Sequence, residues 1–315
     1  MEIQQRLIYF TISMTILVGF GYFMKRRGIM PEAEASMILA KITVNYALPA
    51  MIFWTLANSK LSLHDFKLPA IVLLIEIGAL IASYLAGRAF KLSREQIGSL
   101  MLVSTFGNMS ALGVSLVDSV YNHNLSAISK AVLSSEIGSQ LALQTLGILI
   151  AIHFGTVKDV YSPVTIFKEI LFNPPTLAII FGLIWSLAGF PTEGMLLTPV
   201  FHAIKLADMA LAGVVGLLIG FSIRYVNIRL FIKTAAVVII LELFYEPLGT
   251  FFAAKLFSLP KFDADVLVLM MSMPAAALNV AFAKKYGCDT ELAANLTITS
   301  IIFCIISVFF VSYLL

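Results

Sequence analysis

Charged residues are scarce in this sequence of 315 residues: Asp, Glu, Lys and Arg make up 12%, whereas an ordinary soluble chain carries about 25%. The two cysteines, Cys288 and Cys304, have a spacing that matches no metal or disulfide pattern. The sequence has no phosphate-binding glycine loop, so direct use of ATP is unsupported. The net charge of only +3 gives no indication of a nucleic-acid partner. The scarcity of charge excludes a soluble globular enzyme, and the sequence predicts neither catalysis nor a cofactor.

Hydrophobic residues, in contrast, make up 60% of the chain, and the mean hydropathy is +0.96. A helix that crosses a membrane needs about 20 mostly apolar residues. Length and composition favour helices over a barrel, so the sequence predicts an all-α membrane protein with ten transmembrane helices. The ten apolar segments are 7–24, 37–57, 68–87, 97–117, 128–154, 171–189, 203–223, 234–257, 264–283 and 289–315.

The first apolar segment is followed, not preceded, by the basic residues Lys25, Arg26 and Arg27. A signal peptide has the opposite order, so this segment is interpreted as span 1. If ten successive spans cross the membrane in alternating directions, 13 basic residues lie in loops on the same side of the membrane as Lys25, Arg26 and Arg27. They include Lys158, Arg224 and Arg229, and six basic residues lie on the other side. Because cytoplasmic loops are enriched in Lys and Arg, both termini are predicted to lie outside the plasma (inner) membrane.

An internal repeat relates the two halves of the chain, 1–154 and 155–315. The motif around Asn45 aligns with that around Asp208, Glu76 aligns with Glu242, and Tyr121 aligns with Tyr286, at offsets of 163 to 166 residues. Each half contains five predicted spans, an odd number, so the two halves are predicted to be inverted relative to each other. Inverted repeats are typical of secondary transporters.

Spans 4 and 9 are predicted to be interrupted helices. Span 4 contains FGNMSALGVS at 106–115, and span 9 contains SMPAAALN at 272–279, where Pro274 removes a backbone donor. Interrupted helices at matching positions of two repeats indicate a transport site, and their exposed N–H groups favour anions. The alternative interpretation is small-residue packing with a proline kink. The predicted substrate-binding residues are Asn108, Ser110, Gly113, Pro274 and Asn279.

Acidic residues within spans are candidates for ion coupling. Glu136 is the first candidate, followed by Glu76 and Glu242; Asp208 either has a role in transport or pairs with Lys205. The coupling ion could be a proton carried by Glu136, or sodium held by oxygen ligands. The sodium ligands would be Asn108, Ser135, Glu136 and Ser139. A structural carboxyl at a helix interface remains the alternative for each acid.

Motifs in a fixed order resemble the auxin efflux carrier family, which includes PIN-type plant carriers and bacterial malate and malonate permeases. The matching residues are Arg27-Gly28-Ile29, Glu32, Ala47-Leu48-Pro49, Asn108, Gly113, Pro274, Ala283, Tyr286-Gly287, Asp289 and Thr299-Ser300. The sequence departs from the family pattern where Ser110 replaces a glycine, Ser115 replaces a proline and Ala212 stands in place of the span 7 proline.

The resemblance implies a fold similar to that of bile-acid–sodium symporters. Spans 1, 2, 6 and 7 would form a scaffold, and spans 3–5 and 8–10 would form a transport domain in which broken helices 4 and 9 cross at the substrate site. It further implies elevator-like secondary transport of small organic anions. A sodium-coupled bile-acid-type symporter and a membrane sensor that binds without transport are the alternatives. The expected partners are the anion and the lipid bilayer, with a homodimer left open and no nucleic acid.

Overall fold

In the computed structural model, residues 3–29, 31–157, 163–223 and 231–311 are described, and these ranges contain helices, turns and one isolated backbone bridge but no extended strand. The all-α prediction is therefore confirmed for these ranges. Lys158, Arg224 and Arg229, which the charge argument uses, lie outside them. The α-helices, numbered in chain order, are α1 Ile3–Arg26, α2 Glu32–Ile42, α3 Leu48–Ala57, α4 Lys67–Ala89, α5 Arg94–Val103, α6 Val114–Val120, α7 Leu125–Leu133, α8 Ile148–Phe154, α9 Pro163–Leu171, α10 Pro174–Leu187, α11 Leu197–Met209, α12 Leu211–Ser222, α13 Ile232–Ile240, α14 Glu246–Leu256, α15 Lys261–Met270, α16 Ala277–Tyr286 and α17 Thr290–Val311.

Wider π-helical turns join several of these helices into longer rods. They are Thr43–Ala47, Met109–Gly113, Ser134–Gln140, Leu143–Gly147 and Leu241–Tyr245. Such turns inside α-helices are frequent at functional sites. Two of these turns contain acids that the sequence predicts as candidates for ion coupling, Glu136 and Glu242.

Six helical runs of the described chain are long and apolar enough to cross a membrane. They are Ile3–Arg26, Glu34–Ala57, His64–Ala89, Leu125–Phe154, Leu197–Ser222 and Ile232–Leu256. Shorter apolar helices are Met109–Val120, Pro174–Leu187 and Thr290–Cys304. The length and apolar composition of these helices are those of a multi-pass membrane protein. The total of ten crossings and their inverted symmetry stay predictions.

The chain divides into two compact units, each assembled from both sequence halves. Unit 1 comprises Met1–Asp65, Ser110–Val132 and Tyr161–Ile223. Unit 2 comprises Phe66–Met109, Leu133–Val160 and Arg224–Leu315. Predicted spans 1, 2, 6 and 7 fall in unit 1, and the end of predicted span 4 and the start of predicted span 5 also group with it.

Unit 1 brings α1 and α12 together through glycines. A Cβ atom at Gly21 would lie 2.6 Å from the carbonyl oxygen of Leu217, and one at Gly220 would lie 2.2 Å from that of Val18. Small residues let membrane helices approach closely enough for backbone contact. At the end of α1, Lys25 Nζ donates to the carbonyl of Ile223 at 2.6 Å, which satisfies a free acceptor at the end of α12.

Asp208, one of the acids with two open interpretations, lies in unit 1 beside Lys205. The Lys205 Nζ atom is 2.6 Å from Asp208 Oδ2 and 4.0 Å from the centre of the Trp54 ring. The ion pair lies within α11 and holds Lys205 beside Trp54 of α3, which favours a structural role for Asp208.

The contact between α1 and α12 predicts a contrast between two glycines of one helix. Gly21→Ala should destabilise the protein by about 1–3 kcal/mol because the added methyl group overpacks a backbone contact. Gly19→Ala is the matched control, since nothing lies within 4 Å of its Cβ position. The check is thermal melting of the detergent-solubilised variants, and equal melting temperatures would contradict the close contact.

Candidate functional site

Two helices of unit 2 stop within apolar segments and start again several residues later. Helix α5 ends at Val103, and helical structure resumes only at Met109. Helix α15 ends at Met270, and α16 starts at Ala277. Pro274 lies in the second break, where it cannot donate to a helical carbonyl. Both breaks overlap the segments in which the sequence predicts interruption.

The two breaks pair with each other through their backbones. Asn108 N–H donates to the carbonyl of Pro274 at 2.7 Å, and Ala276 N–H donates to that of Phe106 at 3.0 Å. Gly107 and Ala275 form the antiparallel bridge between these bonds. A Cβ atom at Gly107 would lie 3.1 Å from the Met273 carbonyl oxygen, so the close approach favours glycine there. We call residues 106–108 and 274–276 the crossing.

Asn279 anchors the crossing from the first turn of α16. It is fully buried, and its Nδ2 atom donates to the Phe106 carbonyl at 2.8 Å. The same carbonyl accepts from Ala276, so both of its lone pairs are used. No donor in the described residues reaches Asn279 Oδ1. Asn279 thus acts on the backbone of the crossing rather than pointing a free amide group outward.

Asn108 and the start of α16 carry the free polar groups of the crossing. The half-buried Asn108 side chain makes no hydrogen bond with any described residue. The N-cap of α16 is Ala276, so no side chain caps this helix, and the adjacent Ala277 is exposed. The first N–H groups of a helix lack partners inside it and carry partial positive charge. A carboxylate could therefore accept hydrogen bonds here from an amide side chain and from backbone N–H groups.

A hydrogen-bonded chain links the crossing to a buried acid. The Ala275 N–H donates to Ser300 Oγ at 3.1 Å, and the Ser300 hydroxyl donates to the carboxylate of Glu242. Glu242 and Ser300 are both fully buried. The charge state of Glu242 can therefore affect the backbone of the second break through one hydroxyl.

The other predicted coupling acids have different surroundings. Glu136 is buried, and Ser135 Oγ donates to its Oε1 atom at 3.2 Å. Ser139, expected beside Glu136, has its hydroxyl next to the buried carboxyl of Glu76. Among the predicted acids, the hydrogen-bond chain to the crossing belongs to Glu242.

Of the predicted substrate residues, the structure brings Asn108, Pro274 and Asn279 together in unit 2. Ser110 and Gly113 follow along the chain, within the π-helical turn Met109–Gly113 and on the unit 1 side of the division. Sequence reasoning assigned no site role to the Phe106 carbonyl or the Ala276 N–H, because backbone groups leave no sequence signal. Ser300 could have been found from the sequence, since Thr299-Ser300 is one of the motifs that match the family.

Because the Phe106 carbonyl accepts hydrogen bonds from both Asn279 and Ala276, the structure predicts the effect of removing the Asn279 side chain. Asn279→Ala should lower the free energy of unfolding by about 1–2 kcal/mol, because a buried hydrogen bond is lost and a small cavity remains. Asn58→Ala is the matched control: that amide bonds the Trp54 carbonyl, which also accepts the Asn58 backbone N–H. Melting curves in detergent check the difference, and a loss no greater than that of the control would contradict the anchoring role.

Comparison with known proteins places this architecture among transporters. A family model described as membrane transport protein matches residues 9–312. An uncharacterised transporter of Methanocaldococcus jannaschii is 27% identical over 284 residues, covering 89% of each chain. A second uncharacterised transporter, from Methanothermobacter thermautotrophicus, is 25% identical over 299 residues, covering 94% of each chain. The resemblance to the auxin efflux carrier family is thus confirmed, and the chain belongs to this family of membrane transport proteins.

Proposed function

We propose that the protein is a secondary active transporter of small organic anions, in particular carboxylates, with the substrate bound at the crossing. The observation that carries the proposal is the paired helix breaks, which leave the Asn108 amide and the uncapped start of α16 free in an apolar region. An anion binds well where backbone N–H groups and a neutral amide converge, because it needs donors rather than a full countercharge.

The proposal includes alternating access by an elevator-like movement of a transport domain. Its support is that predicted spans 3, 8 and 10 and both helix breaks fall in unit 2, while predicted spans 1, 2, 6 and 7 fall in unit 1. The ten-span inverted repeat is part of the same proposal. Since the crossing residues Gly107, Asn108, Pro274 and Ala275 all belong to unit 2, a substrate held by them would travel with that unit.

Flux through purified protein tests transport against the alternatives. Proteoliposomes should accumulate radiolabelled malate or malonate, used as probe anions, when an ion gradient is imposed. Asn108→Ala should weaken probe binding about 10- to 150-fold, since a hydrogen bond to a charged group contributes about 1.5–3 kcal/mol. The exposed Asn45 provides a control, because among the described residues its amide bonds the Lys41 carbonyl, one turn earlier in the same helical run.

Asn45→Ala should leave binding unchanged. Unchanged affinity in Asn108→Ala would remove this residue from the site. Probe binding to the wild type without any flux would replace the transporter by a sensor. Accumulation of a bile acid with sodium, but of neither probe anion, would favour the bile-acid-type symporter.

Coupling is proposed to act through Glu242 and Ser300. If Glu242 takes up a proton, its O–H can donate to Ser300 Oγ, which has a second lone pair for the Ala275 N–H, and the Ser300 O–H then turns away from Glu242. If sodium binds instead, the ionised carboxylate supplies an oxygen ligand. Either event changes the hydrogen bond that holds the second break, and this links ion occupancy to the substrate site.

Substitution by glutamine tests this coupling. Glu242→Gln should still bind the probe anion but lose stimulation by the imposed gradient, because the amide is nearly isosteric and cannot ionise. Glu291→Gln, which alters an exposed acid in the first turn of α17, should keep the wild-type response. Proton and sodium gradients applied separately identify the ion. Loss of the response in Glu136→Gln or Glu76→Gln, with Glu242→Gln unaffected, would assign coupling to that other acid.

A further inference from the structure

A surface cavity at the end of α4 combines basic side chains with an apolar wall. Its volume is about 770 Å³. The basic residues at its lining are Arg88, Lys91 and Arg94. Its remaining described lining consists of Tyr84, Leu92, Ile97, Met101, His153 and Phe154, none of which is a carboxylate. The cavity lies entirely within unit 2 and is separate from the crossing residues.

The basic residues of this cavity are free to bind an anion. Neither Arg88 nor Lys91 forms a salt bridge within the described chain. Arg94 donates to the His153 carbonyl, which orients its guanidinium group without neutralising it. Glu95, the acid next to Arg94, is engaged by the Ser93 hydroxyl at 2.9 Å. The cavity therefore presents basic side chains that form no salt bridge with a carboxylate of the described residues.

An exposed apolar stripe on α4 leads directly to the cavity. Leu74, Ile77, Ile81 and Leu85 are 45–59% exposed and recur every three or four residues, so they share one face of the helix. Arg88 follows Leu85 on the same face. In a membrane protein such a stripe lies against acyl chains, and a basic group at its end lies at the depth of lipid headgroups.

The backbone at Lys91 closes the end of α4. Its φ of 54° is in the left-handed region, where glycine is the unstrained choice. The Leu92 N–H donates to the Gly87 carbonyl at 3.1 Å, and Ser258 after α14 has a similar φ of 51°. The conformation is therefore that of a helix C-terminal cap, in which Lys91 can be replaced by glycine without strain.

We infer that this cavity binds the phosphate headgroup of an anionic phospholipid, whose acyl chains lie along the α4 stripe. The charge complementarity selects an anion, and the continuity of the cavity with the stripe selects a lipid over a soluble phosphate. The inference is independent of the transported substrate, because none of the crossing residues takes part.

The test compares lipids and variants on the purified full-length protein in detergent. Phosphatidylglycerol should be retained, as measured by mass spectrometry, and should raise the melting temperature, whereas phosphatidylcholine should do neither. The double variant Arg88→Gln/Lys91→Gln should require about 30-fold more phosphatidylglycerol, since each basic residue at an anionic surface strengthens binding about fivefold. Arg27→Gln/Lys284→Gln removes the same charge at two exposed positions elsewhere and should behave as the wild type.

A second variant separates lipid binding from a structural role. Lys91→Gly relieves the left-handed backbone, so its melting temperature without lipid should be no lower than that of the wild type, while its affinity for phosphatidylglycerol falls about fivefold. Several results would overturn the inference. They are equal retention of phosphatidylcholine, equal loss in the control pair, stabilisation by inorganic phosphate alone, and a dimer that covers α4 and retains no lipid.

Discussion

The pairing of backbone N–H and C=O groups is the constraint on which the described structure depends. In hydrocarbon no water can satisfy these groups, so a chain of this composition must form helices almost everywhere. Where α5 and α15 stop, the same requirement joins the two breaks: Asn108 bonds the Pro274 carbonyl and Ala276 bonds the Phe106 carbonyl. The buried Asn279 amide completes the set. The irregular backbone is stabilised because each break donates a hydrogen bond to a carbonyl of the other.

Close backbone contact is the second consequence of the same constraint. Lipid tails are as apolar as leucine, so packing between membrane helices depends on fit and on satisfied polar groups rather than on burial alone. Gly21 and Gly220 provide that fit in unit 1, and Gly107 provides it at the crossing. Buried hydroxyls serve the polar groups, as Ser300 does between Glu242 and the Ala275 N–H. Small residues and a hydroxyl therefore serve the close contacts of α1 with α12 and of the crossing.

Much of this was predictable from local sequence. Low charge and long apolar segments predict a multi-pass helical protein, and Pro274 predicts a break because it cannot donate a hydrogen bond. Membership of the transporter family was also readable, from motifs spread along the chain. The hydrogen-bond path to the crossing was not: the sequence ranks Glu136 first among candidate acids from its polar neighbours, and the path found in the structure starts at Glu242. Ser139, close to Glu136 in sequence, also lies near Glu76 on α4.

The division between sequence and structure follows the range of the forces involved. The sequence by itself determined the helical segments, their breaks and the family, because hydropathy, missing donors and motif residues act within a few positions of the chain. Tertiary structure alone decided which carbonyl each free N–H would meet, which serine would reach which glutamate, and that Arg88, Lys91 and Arg94 line one cavity. Those pairings join residues far apart in the sequence, such as Asn279 and Phe106, which are 173 positions apart. Such contacts exist only after the helices have packed, because no local pattern encodes the distance between two atoms on different helices.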